Sequence, residues 1–161
     1  MPRKFLVDRM LGKLARELRL LGYDALYYGG ERLPDLIDLG RKEHRVILTR
    51  NPRLIPKRPE DQIVHLTEDR PALQLRQLVD QGDVPLDESL FFSRCLLCNA
   101  LLEGIPRQTV EGKVPDFIFY QHEEFFHCPQ CQKIYWPGTH QEDMKQKILN
   151  MLRSQVEVRV K

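Results

Sequence analysis

The sequence has no apolar run that approaches the roughly 18 residues needed by a membrane-spanning helix. Its first ten residues, MPRKFLVDRM, lack the apolar stretch of a secretory signal. These absences argue against a membrane protein and predict a cytoplasmic location. The compositional bias of a disordered chain is also missing, since 42% of the residues are hydrophobic and 30% are charged. The 161 residues suffice for one ordinary domain and a small appendage.

The net charge is only +2, but it is distributed unevenly along the chain. Residues 1–60 carry a net charge of +6, and residues 61–161 carry −4. A basic first portion favours a polyanionic partner, because phosphate contacts dominate nucleic-acid affinity. A solvated basic helix face explains the same distribution equally well, so charge alone leaves both interpretations open.

Residues 1–83 alternate between short apolar strands and amphipathic helices. Strands are predicted over residues 4–7, 25–28, 46–48 and 63–66, and helices over 9–21, 34–42 and 71–81. On the first helix an apolar face opposes Arg9, Lys13 and Arg16, and its members are Met10, Leu11, Leu14, Leu18 and Leu21. Strands alternating with helices predict βαβ units, and therefore a mostly parallel sheet in a three-layer α/β domain.

The composition changes after this domain. We predict a connector over residues 84–90, a small cysteine-containing domain over 91–140, and a C-terminal helix and tail over 141–161. The helix is expected from about Gln141 to Leu152. The alternating tail VEVRVK favours an additional strand.

The four cysteines form two C-x-x-C pairs, which are Cys95 with Cys98 and Cys128 with Cys131. Four thiolates at this spacing predict one structural zinc ion, closed to substrate because protein fills every ligand position. Two disulfides and a redox pair are the alternatives. A cytoplasmic setting argues against stable disulfides, and a redox motif does not need a second pair.

Several side chains with oxygen ligands follow the predicted strands. Asp8 follows the first strand, Asn51 the third and Asp69 the fourth, while Asp35 and Asp38 lie on the helix between strands two and three. Ligands of parallel sheets gather at the carboxyl ends of the strands. Such oxygens bind Mg²⁺ or Mn²⁺, which can activate water at a phosphate. Taken singly, Asp8, Asp35 and Asp69 are explained as well by helix capping or a favourable helix-dipole position.

The segments FLVDRMLGKLARELRLLGYDALYY, RVILTRNPRL, SRCLLCNALL and FHCPQCQKIYWPGTH resemble the Mut-seven C-terminal RNase-domain family. The resemblance extends from Phe5 to about His140. It implies a PIN-like nuclease domain followed by a zinc ribbon, and a metal-dependent hydrolysis of RNA. By position it implies Asp8 and Asp69 as site acids, the four cysteines as zinc ligands, and Arg94 and Asn99 as their usual neighbours.

Two departures from the family pattern concern the acidic site. The family usually reads L-T-R-D where this chain has Leu48-Thr49-Arg50-Asn51. Its usual acid before the second helix falls at or near Leu33, where only Asp35 and Asp38 are close in sequence. Asn51 keeps a carbonyl oxygen but removes a negative charge, and a charge pair at 4 Å is worth roughly 4 kcal/mol at an effective dielectric constant near 20.

Two functions follow as hypotheses. The first is a divalent-metal-dependent endoribonuclease that uses Mg²⁺ or Mn²⁺ and whose activity is expected to be weakened because Asn51 replaces a usual acid. Its catalytic candidates are Asp8, Asp35, Asp38, Asn51 and Asp69. Its candidate phosphate-binding residues are Arg9, Lys13, Arg16 and Arg50.

The second hypothesis is a catalytically degenerate PIN-like protein that binds RNA or a ribonucleoprotein, in which aromatic side chains stack on bases. The aromatic candidates are Tyr120, Phe125, Phe126, Tyr135 and Trp136. A packed ribbon core explains most of these aromatics instead. A protein adaptor is a third possibility with less support, and the sequence does not specify an oligomeric state.

Overall fold

The computed structural model describes the backbone of residues 3–160 and the side chains of residues 3–138 and 141–152. The chain divides into two compact units, residues 1–99 and residues 100–161. The sequence-based boundaries at residues 83, 90 and 140 stay predictions. Among the described residues, no helix combines the length and the apolar character needed to cross a membrane.

The first unit contains a four-stranded parallel sheet. Its strands are β1 (Lys4–Val7), β2 (Asp24–Tyr27), β3 (Val46–Thr49) and β4 (Ile63–His65). The spatial order is β2-β1-β3-β4, and Leu6 of β1 is in register with Leu26 and Ile47 on its two neighbours. The predicted parallel α/β fold is confirmed.

Three helices flank this sheet: α1 (Gly12–Leu20), α2 (Leu33–Glu43) and α3 (Pro71–Asp80). α1 packs on α3, and α2 packs on β3. The chain moves in opposite directions across the sheet through its first two crossovers, so right-handed connections put α1 and α2 on opposite faces. The α2 face is a compact apolar cluster of Leu6, Leu36, Ile37, Ile47 and Leu54.

The prediction that Met10 belongs to the apolar face of the first helix is wrong. Residues 9–11 form a 3-10 turn, which the side chain of Asp8 caps, and α1 begins only at Gly12. Met10 precedes α1, so the α-helical periodicity of the apolar face does not apply to it, and its side chain is 72% exposed. The other four predicted members of that face are buried, namely Leu11, Leu14, Leu18 and Leu21.

The strand order determines where a ligand can enter the first unit. From β1 the chain goes to β2 on one side, and then returns to β3 on the other side of β1. The loops after β1 and β3 therefore diverge, and the carboxyl ends of these two strands border the topological switch point at which open parallel sheets bind ligands.

The second unit contains an antiparallel sheet of β5 (Glu103–Ile105), β6 (Phe125–His127) and β7 (Ile134–Tyr135). Helix α4 (Asp116–Gln121) lies between β5 and β6 in the sequence, and α5 (Thr139–Val160) follows β7. The prediction of a strand in the tail is wrong over residues 156–160, which are helical. Lys161 lies outside the described residues.

Three of the seven aromatic side chains in the second unit belong to its core, namely Phe119, Phe125 and Trp136. Phe125 is 2% exposed and belongs to a buried cluster with Val110, Val114 and Phe119, against which Trp136 packs. Tyr120 differs, because it is 74% exposed. The core interpretation is thus confirmed for Phe125 and Trp136.

Candidate nucleic-acid cleft and cysteine cluster

A cleft of about 460 Å³ opens at the carboxyl ends of β1, β2 and β3. This is the edge of the sheet at which the topological switch point lies. The lining combines acidic, basic, aromatic and aliphatic side chains: Asp8, Arg9, Met10, Tyr28, Gly30, Glu31, Arg32, Leu33, Leu36, Arg50 and Asn51.

Asp8 joins the ends of the two central strands. It is 8% exposed, its Oδ1 accepts a hydrogen bond from the Arg9 N–H at 2.8 Å, and its Oδ2 accepts one from the Thr49 hydroxyl at 2.7 Å. The Asn51 N–H in turn donates to Thr49 Oγ1 at 3.0 Å. Each carboxylate oxygen has a second lone pair, so Asp8 can still ligate a cation.

Asn51 begins the turn that follows β3. Its Oδ1 accepts a hydrogen bond from the Arg53 N–H at 3.0 Å, the local pattern that makes Asn and Asp good turn formers. This turn explains why either residue fits at the position structurally, whereas only Asp would add a negative charge to the cleft.

Three arginines are among the residues that line the cleft, namely Arg9, Arg32 and Arg50. Two carboxylates line it as well: Asp8, and Glu31, whose Oε1 lies 3.1 Å from Arg9 Nη1. The Arg9–Glu31 pair is solvent-exposed, so it contributes little stability and leaves both groups available to a ligand. Because cations outnumber carboxylates, the lining suits an anion that arginine can grip with paired hydrogen bonds, such as a phosphate.

The other predicted acids lie outside the cleft lining. On α2, Asp35 lies 3.9 Å from Arg32, and Asp38 lies 3.6 Å from Arg41. Asp69 follows β4, which β3 separates from β1, so two strand spacings of about 5 Å intervene. Within the described side chains, no group of three carboxylates lies close enough together to hold a metal ion. The assignment of these acids to one site stays a prediction.

Only two of the four predicted phosphate-binding residues line the cleft. Arg9 and Arg50 line the cleft, whereas Lys13 and Arg16 are exposed on α1 and are not part of the lining. The 3-10 turn accounts for this difference, since it places Arg9 at the strand end and Lys13 on the helix that leads away.

Glu31 and Arg32 are two charged cleft-lining residues that sequence reasoning missed. Both follow β2 and the Gly29-Gly30 pair, and so lie at the same sheet edge as Asp8. The available signal was the rule already applied to the first and third strands, extended across the glycine turn after the second.

Backbone N–H groups support one sulfur in each cysteine knuckle. In the first, the Cys98 N–H donates to Cys95 Sγ at 3.4 Å. In the second, the N–H groups of Gln130 and Cys131 donate to Cys128 Sγ at 3.4 and 3.5 Å. One sulfur of each C-x-x-C pair is thus held by the backbone of its own knuckle.

The Sγ atoms of Cys95, Cys98, Cys128 and Cys131 all lie within 4.8 Å of one another, and no disulfide joins them. A tetrahedral zinc ion with Zn–S bonds of about 2.3 Å needs sulfur–sulfur separations of about 3.8 Å. Four clustered thiols are the usual ligand set of a structural zinc ion, so the cluster can bind zinc. It is the one group of this kind among the described residues.

A protein-family model described as the Mut7-C RNAse domain matches residues 3–148. This chain belongs to the Mut7-C RNase-domain family. Membership indicates a nuclease-like function and confirms the family resemblance noted in the sequence. A search of curated proteins and a search of solved structures each gave no match.

In this Mut7-C chain the first knuckle, which contains Cys95 and Cys98, is hydrogen-bonded to the edge strand β2 of the parallel sheet. β2 is the edge strand, and its Ala25 N–H donates to Asn99 Oδ1 at 3.0 Å. The buried Arg19 donates from Nε to Ala25 O at 2.9 Å and from Nη1 to Leu96 O at 2.8 Å. Pairing the edge strand in this way leaves fewer of its backbone groups open to another chain.

Asp24 adds a charged partner to the same contact. Its Oδ1 accepts hydrogen bonds from Asn99 Nδ2 and Arg45 Nη1, both at 2.7 Å. Burial alone would raise the pKa of Asp24, but the hydrogen bonds from Arg45 and Asn99 outweigh it and lower the pKa. Arg94 completes the arrangement by donating to the Asn99 carbonyl at 2.9 Å. Arg94 and Asn99 thus act as positioning residues beside Cys95 and Cys98.

Proposed function

We propose that this Mut7-C chain is a divalent-metal-dependent endoribonuclease that binds RNA in the cleft and hydrolyses its phosphodiester bonds. One observation carries the proposal. The buried carboxylate of Asp8 ends the central strand and opens into a cleft at the switch point, together with Asn51, Glu31 and the three arginines.

Asp8, Glu31 and Asn51 form a donor set that fits Mg²⁺ or Mn²⁺. Mg²⁺ sites in nucleotide-processing enzymes commonly use one or two carboxylates, with waters and substrate phosphates completing the shell. When bound, such an ion lowers the pKa of a coordinated water and neutralises charge on the phosphate. Two carboxylates attract the ion less than three would, so activity should require millimolar metal.

The other residues of the cleft position the substrate. Arg32 and Arg50 present planar guanidinium groups that can hold phosphate oxygens with two hydrogen bonds each. The Thr49 hydroxyl holds the Asp8 carboxylate in its orientation, and the Asn51 N–H fixes that hydroxyl. The central acid is therefore pre-organised before RNA arrives.

The test is cleavage of end-labelled single-stranded RNA in millimolar Mn²⁺, with EDTA as the metal-free reference. Asp8→Asn should lower the rate at least 100-fold, because it removes the buried charge while preserving the side chain's shape. Asp69→Asn is the matched control and should cleave within twofold of the wild type. Equal cleavage by Asp8→Asn, with an unchanged melting temperature, would overturn the proposal.

A second candidate is RNA or ribonucleoprotein binding without cleavage. It is favoured by the exposed pairing of Glu31 with Arg9 and by the missing three-carboxylate group among the described side chains. Salt-sensitive RNA binding in EDTA, with no products at millimolar Mn²⁺, would select it. A gain of cleavage in Asn51→Asp alone would strengthen it further.

We also propose that the cysteine cluster holds a structural zinc ion and takes no part in hydrolysis. Four thiolates fill a tetrahedral shell, so no open position is left for water or substrate. The four thiols must stay reduced to bind zinc, which supports a location in the cytoplasm.

A further inference from the structure

We propose that the loop between β3 and β4, residues 50–62, is a second RNA-binding surface that continues the cleft along the side of the sheet. We call this segment the cationic loop. The inference deepens the proposed function and rests on RNA being the ligand of the cleft. Arg50 and Asn51, the first two residues of the loop, line that cleft.

The cationic loop must travel the full height of the sheet. β3 and β4 are parallel, so the chain leaves the carboxyl end of β3 and returns to the amino end of β4. The Ile47 N–H donates to Gln62 O at 2.8 Å and Ile47 is in register with Ile63, which puts the end of the loop level with the amino end of β3. Such a crossover usually contains a helix, but residues 50–62 contain only turns and extended chain.

The exposed charge of the loop is predominantly positive. Its basic side chains are all exposed, namely Arg50, Arg53, Lys57 and Arg58. Of its two acids, Glu60 is exposed at 3.9 Å from Arg58, and Asp61 is withdrawn into a pair with Arg41. The chain that carries these cations returns over roughly 13 Å, the height of a four-residue strand.

Asp61 fastens the far end of the loop. Its side chain is 1% exposed and accepts hydrogen bonds from Arg41 Nε at 2.6 Å and from Arg41 Nη2 at 2.9 Å. It also accepts the backbone N–H groups of Lys57 and Arg58 at 2.9 and 3.0 Å. Asp61 binds the backbone N–H groups of Lys57 and Arg58 and not their side chains. Both side chains are exposed, and Arg58 Nη1 lies 3.9 Å from Glu60 Oε1.

Two further contacts fasten the rest of the loop. Near the cleft, Asn51 Oδ1 accepts from the Arg53 N–H. In the middle, Leu54 is 1% exposed in the α2-side core, and its carbonyl oxygen lies 2.8 Å from His65 Nε2. A loop held at three points has already lost most of its conformational freedom, so less entropy is lost when a ligand binds.

The composition of the loop favours a phosphate backbone over an acidic protein. Hot spots of protein interfaces are enriched in Trp and Tyr, and the loop has no aromatic residue. Its one large exposed apolar side chain is Ile55. Arginine and lysine on a pre-organised path that begins inside the cleft match a strand whose phosphates run outward from the cleaved bond.

The experiment measures binding of a fluorescent 20-nucleotide single-stranded RNA in EDTA over a range of NaCl concentrations. The test variant is Lys57→Gln/Arg58→Gln, which leaves the backbone contacts to Asp61 intact. The charge-matched control is Lys4→Gln/Arg70→Gln, two exposed cations elsewhere in the same unit. Each lost phosphate contact should reduce the salt slope by about 0.7 for single strands.

We expect the test variant to lower the slope by about 1.4 and the affinity at low salt at least tenfold. The control should stay within twofold of the wild type. A trinucleotide that fills only the cleft should bind the test variant and the wild type equally. A test variant with wild-type affinity and slope for the 20-mer would overturn the inference.

Asp61→Asn separates the organisation of the loop from its charge. This variant is one unit more positive, so a purely electrostatic surface would bind RNA more tightly. We expect several-fold weaker binding instead, because the loop is loosened, with a melting curve that still shows a folded protein. Tighter binding would contradict the pre-organised surface.

The outcomes distinguish this inference from the proposed function. RNA binding with the expected slopes but no cleavage in Mn²⁺ refutes the nuclease and keeps the surface. Cleavage that depends on Asp8, with unchanged slopes in the loop variant, keeps the nuclease and refutes the surface. Selective loss of binding to polyglutamate rather than to RNA would assign the loop to an acidic protein partner and refute the inference.

Discussion

The cysteine cluster and the cleft are constructed in different ways. Each half of the cluster is a local knuckle, in which backbone N–H groups two or three residues away support a sulfur. The cleft instead gathers Asp8, Glu31 and Asn51 from the ends of three different strands. Local spacing therefore determines the chemistry of the cluster, whereas strand order determines the chemistry of the cleft.

This difference bears on tolerance to substitution. The cluster has four ligands and needs all of them to close a zinc shell. The cleft combines several kinds of polar side chain, and the turn at Asn51 accepts either Asn or Asp. We therefore expect the loss of any one cysteine to abolish zinc binding. Substitutions in the cleft should instead change metal affinity and cleavage rate to different extents.

Loss of a cluster ligand should have the largest effect. Cys128→Ser should abolish stoichiometric zinc and unfold the β5-β6-β7 sheet, because structural zinc contributes roughly 10–16 kcal/mol of apparent binding free energy to small domains. Metal analysis and hydrogen exchange of residues 100–138 would measure this. Gln130→Ala, in the same knuckle, is the control and should keep its zinc. Retention of one zinc per chain in Cys128→Ser would show that the cluster does not need all four cysteines.

The graded behaviour of the cleft is tested by Asn51→Asp. The added charge should lower the Mn²⁺ concentration for half-maximal cleavage at least tenfold, since an ion–carboxylate pair at 4 Å is worth up to roughly 4 kcal/mol. Metal titration of the cleavage rate measures the shift. Asp35→Asn, outside the cleft lining, should leave the titration unchanged. If Asp35→Asn shifted the Mn²⁺ concentration for half-maximal cleavage and Asn51→Asp did not, the metal site would lie near Asp35 and not in the cleft.

The anchoring of the first knuckle should have an intermediate effect. Asn99→Gly removes the partners of Ala25 and Asp24 and should cost about 1–3 kcal/mol of unfolding free energy. Glycine suits the left-handed backbone at this position, where φ is 68°. Gln132→Gly has a similar φ of 67° and an exposed side chain, so it is the backbone-matched control. Urea unfolding of both variants would separate side-chain loss from backbone effects, and equal stability of the two would contradict the anchoring role.

The smallest effect concerns pH. The folded protein lowers the pKa of Asp24, so this group adds stability above its usual value of about 3.9, and that stability is lost as pH falls through the lowered pKa. Asp24→Asn should therefore be less stable than the wild type at pH 7, and the gap should close towards pH 2. Urea midpoints at the two pH values test the sign. A gap that widens in acid would be inconsistent with a charged Asp24.

The sheet, its helices and the four cysteines could be predicted from the sequence because each depends on a short-range pattern. Strand and helix periodicity specified β1 to β4, and C-x-x-C spacing specified the cluster. Met10 was misassigned because the cap at Asp8 starts a 3-10 turn, which periodicity does not detect. The tail was misassigned because six alternating apolar and polar residues are too few to exclude a helix. Residues 156–160 continue α5.

The acids of the cleft were harder to predict because their meeting depends on strand order. A carboxylate after any parallel strand lies at the same edge, but only neighbouring strands bring such groups together. The order β2-β1-β3-β4 brings Glu31 towards Asp8 and leaves Asp69 beyond β3. Neither hydrophobic pattern nor charge reports that order.

The central claim is that a divalent cation binds at the ends of β1, β2 and β3. The most direct test is a crystal soaked in millimolar Mn²⁺ and measured at the manganese absorption edge. The account predicts an anomalous peak within coordination distance of Asp8, with Asn51 or Glu31 as a second ligand. A peak at Asp35, Asp38 or Asp69, or a soaked crystal with no peak beside Asp8, would contradict it.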